Sequence, residues 1–133
     1  GKIEAILQFA TDHEDADLYV KVIDVFPMDR VPEKEDLPDV KMNGYQHLVR
    51  AGYIRGRYRN SFEKPEKFVK KEKTEVNVPL LEVFHTFKKG HKIMIQIQSS
   101  MFPLFDLNPQ KWVDNIYKAK DVEFARAWHI IYG

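Results

Sequence analysis

The serines of this chain lack the surroundings that a serine nucleophile needs. Acyl transfer by serine uses a strained elbow, usually written G-x-S-x-G, together with a histidine base and an acid. The only serines are Ser61, Ser99 and Ser100, and none lies in such an elbow. Ser99 and Ser100 end a predicted strand without flanking glycines. The sequence therefore predicts no catalytic residue within the chain.

Two histidines could contribute to a metal site. His85 and His91 flank the reversal Lys88-Lys-Gly90 and could face one another across a hairpin. A protein zinc site takes three or four ligands, and no clear third ligand lies near this pair. The remaining histidines are isolated along the chain. The pattern therefore favours a structural role for both histidines over a metal-binding role.

An acidic cluster precedes the second predicted strand. Asp12, Asp15 and Asp17 resemble part of a calcium loop, but they miss both the D-x-D-x-D-G spacing and the distal glutamate of an EF-hand. A turn whose carboxylates cap its own backbone is the favoured interpretation. We expect neither a metal nor any other cofactor.

Three arginines alternate at the end of another predicted strand. Arg55, Arg57 and Arg59 would share one face, where their guanidinium groups could bind an anionic ligand by paired hydrogen bonds. An internal carboxylate such as Asp106 is an equally good partner. We favour this structural Arg–carboxylate link, which would fasten the loop 102–109 to the sheet, because an unpaired arginine row beneath a loop would be costly.

Aromatic residues are dense in the segment from Phe102 to Tyr117. Phe102, Phe105 and Trp112 could stack on sugar rings, as in a carbohydrate-binding module. Packing in a core or at an interface is the commoner use of such residues. Both alternatives stay open from the pattern alone.

Composition indicates one globular domain of 133 residues. Apolar residues make up 44% of the chain, and 21 Lys and Arg balance 20 Asp and Glu, so we expect no nucleic-acid partner. No apolar run approaches the roughly 18 residues that a membrane helix needs. The absence of cysteine excludes disulfides and leaves the compartment undetermined. Because the chain starts with neither an initiator Met nor a signal peptide, we expect a piece of a longer soluble protein.

Hydrophobic alternation predicts an all-β chain. A strand over 3–11 has one buried face, and 18–26 is apolar on both faces, as in a central strand; the two segments are predicted to pair as antiparallel neighbours. The segments 27–43 and 61–73 are predicted to be a surface loop and a solvated connector. Further strands are predicted over 46–50, 53–59, 74–80, 82–87, 91–99 and 122–132.

Eight or nine strands without βαβ alternation favour a jelly-roll β-sandwich, of the galactose-binding-domain-like type, as a single domain over 1–133. The last segment, 122–132, also fits a helical spacing, and strand is chosen because Trp, His, Ile and Tyr end the run.

Three segments resemble a known family of hydrolases. Leu18 to Pro27, after Thr11-Asp12, resembles the strand pair that opens the jelly-roll domain of hydrolases similar to X-Pro dipeptidyl-peptidase and cocaine esterase. Arg55-Gly-Arg-Tyr-Arg-Asn60 is similar to their RGRYR strand. Gly90 to Pro109, with its Gly-His, Ser-Ser, Phe-Pro, Phe-Asp and Asn-Pro pairs, is similar to their PGHR…SS-FP-FDRNP signature.

Other residues narrow this resemblance to one branch. Asn43 to Gln46 and Asn108 to Tyr117 look closest to the α-amino acid ester hydrolases and glutaryl-7-aminocephalosporanic acid acylases. The chain departs from the pattern at Leu107 and Lys92, where Arg is usual.

The resemblance implies a parent with an α/β-hydrolase domain, a helical cap and this sandwich as its non-catalytic C-terminal domain. Such a parent cleaves an ester or amide through an acyl-serine intermediate, and none of its triad positions maps onto this chain. The implied partner is the parent's own N-terminal α/β-hydrolase domain. We expect Phe102, Phe105 and Trp112 to contact that domain and help close its substrate cleft. A small-ligand or carbohydrate-binding module, and a structural domain that forms a homo-oligomer, remain the alternatives.

Overall fold

The two strands with the clearest burial pattern become the centres of two different sheets. β1 (Lys2–Thr11) buries Leu7 and Phe9 on one face, while Ile6 on the other face is 61% exposed. β2 (Asp17–Val25) is buried on nearly its whole length, as predicted for a central strand. The two strands were expected to pair, and this is wrong. The short turn between them connects the two sheets. Each of the two strands pairs with two other strands in its own sheet.

The computed structural model describes residues 1–34 and 36–133, and Glu35, in the predicted loop 27–43, lies outside the described residues. One sheet has the order β4-β1-β6 and the other has the order β3-β2-β5, with every pairing antiparallel. No helix among the described residues is long and apolar enough to cross a membrane. The other strands are β3 (Gln46–Arg55), β4 (Thr74–Glu82), β5 (Lys92–Gln98) and β6 (His129–Tyr132), and single 3₁₀ turns lie at Gly56–Tyr58, Ile116–Lys118 and Asp121–Glu123.

The all-β sandwich is confirmed, but the described residues form six strands, fewer than the eight or nine expected. The segments 46–50 and 53–59, predicted as separate strands, are joined across Ala51 and Gly52, so 46–55 is one strand. Gly52 instead lets the two sheets approach, since a Cβ there would overlap the carbonyl oxygen of Pro79. The predicted strand 82–87 is missing: β4 passes an irregularity at Leu81, where φ is +66°, and ends at Glu82, which still pairs with Lys2. The last predicted strand is confined to His129–Tyr132.

The core lies between the sheets and is aliphatic except for two phenylalanines. Burying one valine, leucine or phenylalanine side chain contributes roughly 1.5–3 kcal/mol to the stability of the fold. The core residues are Leu7, Phe9, Ala16, Leu18, Val20, Val22, Phe68, Val76, Val78 and Leu80.

Phe68 is a core residue inside the segment that was predicted to be a solvated connector. Its ring meets that of Phe9 edge to face at 5.3 Å, and it is almost fully buried. Gly56 makes room for it, because a Cβ at that position would overlap the ring. One apolar side chain thus fastens the otherwise irregular segment 61–73 to the sandwich.

Candidate functional site

The three arginines Arg55, Arg57 and Arg59 lie where β3 ends, and each of them has different partners. Arg55 is the last residue of β3, and its Nε lies 3.4 Å from Oδ2 of Asp17. The chain then enters a 3₁₀ turn, so the three arginines do not share one strand face. Arg57 is buried, and its Nε donates to Oδ2 of Asp15 at 2.8 Å while its Nη1 donates to the carbonyl of Val113 at 2.9 Å.

Arg59 ties the irregular connector to the turn through backbone oxygens. Its Nη1 donates to the carbonyls of Gly56 at 3.0 Å and Glu66 at 2.9 Å, and its Nη2 donates to that of Lys67 at 3.0 Å. The guanidinium also stacks over the Phe68 ring at 4.3 Å from its centroid. Burial lowers the pKa of this guanidinium, although the carboxylates of Glu66, 3.8 Å from Nη2, and Asp15 oppose the shift.

The loop that follows β5 is fastened to the sheet through an amide. Asn108 donates from Nδ2 to Oδ1 of buried Asp17 at 2.8 Å, so Asp17 links this loop to Arg55. Burial raises the pKa of Asp17, although the charge of Arg55 and the hydrogen bond from Asn108 oppose the shift. Asp106, the expected partner of the arginines, is exposed and forms no ion pair with them within the described residues. It lines a cavity beside Arg55 instead.

A cluster of aromatic rings covers the outer side of the β3-β2-β5 sheet at this loop. Tyr19 and Tyr53 stack at 5.7 Å between centroids, and Phe105 lies over both, at 5.3 Å and 4.3 Å. Burial beside Asp17 raises the pKa of Tyr19 to about 12. The rings continue outward as an exposed surface, which we call the aromatic face. It consists of Tyr53, Phe62, Leu104, Phe105 and Tyr117, which line one cavity, together with exposed Phe102, which lies in the same turn as Phe105.

The aromatic face surrounds an open cavity of about 590 Å³. Arg55 and Asp106 provide its two charged groups, and the aromatic rings provide most of the remaining wall. Large apolar side chains exposed side by side are typical of a contact or binding site.

The three residues expected at a domain contact occupy different positions. Phe102 is 64% exposed, Phe105 is partly buried on the tyrosine pair, and Trp112 is partly buried beneath Arg57 at 4.3 Å from the ring centroid. Phe102 and Phe105 therefore belong to the aromatic face. Trp112 does not line the cavity of this face and lies against Arg57 of the 3₁₀ turn instead.

The two histidines considered as metal ligands share one carboxylate. His85 Nε2 lies 2.8 Å from Oδ2 of Asp24, and His91 Nδ1 lies 2.8 Å from Oδ1 of the same side chain. Burial opposes ionisation of Asp24, but the hydrogen bonds from the two imidazoles outweigh it and lower the pKa. The three side chains hydrogen-bond to one another, and no group of three or more side chains that could hold a metal ion is found in the part of the chain that the structure describes. Neither residue spacing nor strand pattern predicted that Asp24 would join these histidines.

Two of the serines and one member of the acidic cluster have roles in turns. Ser61 accepts hydrogen bonds from two backbone amides, and Ser100 accepts one from Phe102 at 3.2 Å. Asp12 accepts from the amide of Trp128 at 2.9 Å, which fastens the approach to β6 onto the first turn. Hydrogen bonds from His13 and Trp128 lower the pKa of Asp12.

These features define a class of protein domain: an all-β sandwich whose buried polar groups hold loops in place beside an exposed aromatic face. The family model for the X-Pro dipeptidyl-peptidase C-terminal non-catalytic domain matches residues 1–133. The chain belongs to this family, as the resemblance in the sequence indicated.

Individual relatives agree with this assignment. The chain is 32% identical over 108 residues to the cocaine esterase of Rhodococcus sp. (strain MB1 Bresler). The aligned region covers 81% of this chain and 16% of the esterase. It is similar in structure to an aminopeptidase from a marine sediment archaeon, Thaumarchaeota archaeon, with a TM-score of 0.87, 40% identity, and coverage of 98% of this chain and 20% of that one. It also matches an α-amino acid ester hydrolase, with a TM-score of 0.88, 39% identity, and coverage of 99% and 20%.

The chain thus spans between 16% and 20% of the length of these relatives.

Proposed function

We propose that this chain is the non-catalytic C-terminal domain of a larger serine hydrolase that cleaves an ester or amide, and that its aromatic face packs on the catalytic domain. The names of the three relatives describe an esterase, an aminopeptidase and an amino acid ester hydrolase, and the matched part of each is a minor share of its length. The observation that carries the contact is the aromatic face itself, in which Phe102 is 64% exposed in the same turn as Phe105, whose ring is fixed on Tyr53.

The hydrogen-bonded loop makes this face rigid enough to shape a cleft. Asn108 holds the loop to Asp17 at 2.8 Å, and Phe105 fills the surface above Tyr19 and Tyr53. A wall that is positioned in advance binds its partner without a large ordering cost. Side chains at the rim, such as Phe102, would then bound the substrate cleft of the catalytic domain.

The test is a charge placed on the aromatic face of the parent hydrolase. We expect Phe102→Asp to lower kcat/KM about tenfold, which equals about 1.4 kcal/mol of transition-state stabilisation, because a displaced wall misplaces the substrate. Ile6→Asp is the matched control, since Ile6 is 61% exposed on the opposite sheet. Steady-state kinetics in which both variants match the wild type would reject the contact.

The cavity of the aromatic face also supports a second candidate function, a small-ligand or carbohydrate-binding module. Tyrosine and phenylalanine rings around an opening of about 590 Å³ could stack on sugars. Calorimetry against a glycan panel separates the two candidates, because the hydrolase-domain proposal predicts no heat of binding.

A further inference from the structure

Arg55 has two guanidinium nitrogens that the fold does not use. Its Nε lies 3.4 Å from Oδ2 of Asp17, which is long for a hydrogen bond. Within the described residues, neither Nη1 nor Nη2 of Arg55 has a hydrogen-bond acceptor, whereas Arg57 and Arg59 each donate to two or more internal oxygens. Both Nη atoms of Arg55 are accessible to solvent, since they are not among the buried polar atoms that lack a partner.

Arg55 borders the largely aromatic cavity of about 590 Å³. Two pairs of rings line the same cavity. Tyr58 and Phe62 stack at 6.3 Å between centroids, and Tyr53 and Phe105 lie 4.3 Å apart. Sites for small molecules have volumes in this range and combine apolar walls with a few polar groups that fix the orientation of the ligand.

The charged groups of this wall select the class of ligand. The planar guanidinium of Arg55 matches a carboxylate, which can accept two parallel hydrogen bonds from it. A sugar hydroxyl could accept one of these bonds, but it brings no charge, and hydrogen bonds between ionised groups are the stronger ones. Asp106 lines the same cavity and disfavours a second negative charge. The rings favour an apolar body on the ligand.

We propose that this cavity binds a small-molecule monocarboxylate with an aromatic or branched apolar body. The carboxylate accepts hydrogen bonds from Nη1 and Nη2 of Arg55, and the body packs on the surrounding rings. Phe102, which carries the proposed domain contact, does not line the cavity, so the cavity can stay open beside that contact. Cleavage of an ester or amide by water releases a carboxylic acid, so the proposed function supplies a ligand of this class, and to that extent the inference rests on it.

The experiment measures binding of 3-phenylpropanoate to the parent hydrolase by titration calorimetry. The uncharged amide 3-phenylpropanamide is the matched control ligand, because it has the same body and nearly the same shape. We expect the carboxylate to bind at least about tenfold more tightly than the amide, since only the carboxylate forms a charge-assisted pair with Arg55. Higher salt should reduce this difference, because the site is open to solvent.

Two variants of the hydrolase assign the binding to this cavity. Arg55→Gln is expected to weaken binding of the carboxylate about tenfold, through loss of the charged pair. Asp106→Asn should tighten it about two- to fivefold, the range for a charge interaction near the surface. Asp39→Asn removes an exposed carboxylate from the loop 27–43 and should leave the affinity unchanged.

The Asp106 variant keeps the proposal testable if Arg55→Gln does not fold, because Asp106 is exposed and forms no ion pair within the described residues. Equal affinity for the carboxylate and the amide would overturn the proposal. The same carboxylate affinity in the wild type and in both cavity variants would also overturn it, because the ligand would then bind elsewhere, for example in the catalytic cleft. Heat from a glycan but none from the carboxylate would reject it in favour of a sugar-binding module.

These results are separable from the test of the aromatic face. A tenfold loss of kcat/KM in Phe102→Asp, combined with carboxylate binding that ignores Arg55 and Asp106, keeps the proposed contact and rejects the ligand site. An unaffected Phe102→Asp variant, combined with carboxylate binding that depends on Arg55 and Asp106, rejects the contact and keeps the ligand site.

Discussion

At the scale of single residues, the buried ion pair of Arg57 and Asp15 matters most. Both side chains are almost fully buried, and Arg57 also reaches the carbonyl of Val113. A buried pair contributes little net stability compared with apolar residues, but removal of one member leaves the other charge without a partner. The pair therefore fixes how the turn after β3 lies against the segment that contains Val113.

We expect Arg57→Ala to lower the free energy of unfolding by about 3–5 kcal/mol, because Asp15 would remain buried and unpaired. Urea denaturation of the two proteins measures the difference. Lys67→Ala, which removes an exposed pair with Glu14, should change the midpoint little. Similar midpoints for Arg57→Ala and Lys67→Ala would show that the buried pair is dispensable.

Other single residues show why the sequence was only a partial guide to the site. The motif around Arg55 and the Asn108-Pro109 pair was visible in the sequence, but the partner of each polar group was not. Asp106 was the nearest carboxylate along the loop, whereas the fold brings Asp15 and Asp17 to the arginines from the start of β2, which pairs with the end of β3. Partner choice depends on distances across the fold, which spacing along the chain does not contain.

At the scale of elements, the crossing of β3 over β4 sets how closely the sheets pack. Gly52 faces the backbone of β4, and its missing side chain allows the contact. We expect Gly52→Ala to destabilise the protein by roughly 1–3 kcal/mol, because the obstacle is backbone and cannot rotate away.

Thermal or urea unfolding of Gly52→Ala measures this cost. An unchanged free energy of unfolding would mean that the sheets can separate at Gly52 without loss, contrary to the tight approach at Pro79.

Strand prediction succeeded where one pattern dominated a segment. β1, β2 and β5 were predicted within a residue or two, because alternation or two-sided burial runs through each of them. It failed at 82–87 and at most of 122–132, where the amino acids suit a strand but no neighbouring strand is available. A strand needs a partner for its backbone, and that partner is a property of the whole fold.

At the scale of the whole molecule, β6 joins the end of the chain to its beginning. His129 packs edge to face on Phe9 at 5.3 Å, and its Nε2 lies 3.0 Å from Oε1 of Gln110. Burial lowers the pKa of His129 below its ordinary value of 6.5. The unfolded chain therefore binds this proton more readily than the folded protein does, and acid weakens the closure.

The lowered pKa of His129 gives a testable pH dependence of stability. Stability should fall as the pH drops below 6.5, the ordinary pKa, and the loss should level off once the pH passes below the lowered pKa of the folded state. In His129→Asn this part of the pH dependence should disappear. The measurement is the free energy of unfolding of both proteins at about pH 7.5 and about pH 5.5, which span the ordinary pKa. An equal loss in both proteins would assign the effect to other groups.

The sequence by itself determined the class of fold, the two central strands and the family, because alternation, composition and short motifs are local properties of the chain. Only the tertiary structure decided that β1 and β2 belong to different sheets, and that Asp15, Asp17 and Asp24 are the carboxylates that hold the loops. Each of these features depends on which distant segments come into contact. A local pattern shows which face of a segment must be buried, but it does not show which other segment buries that face.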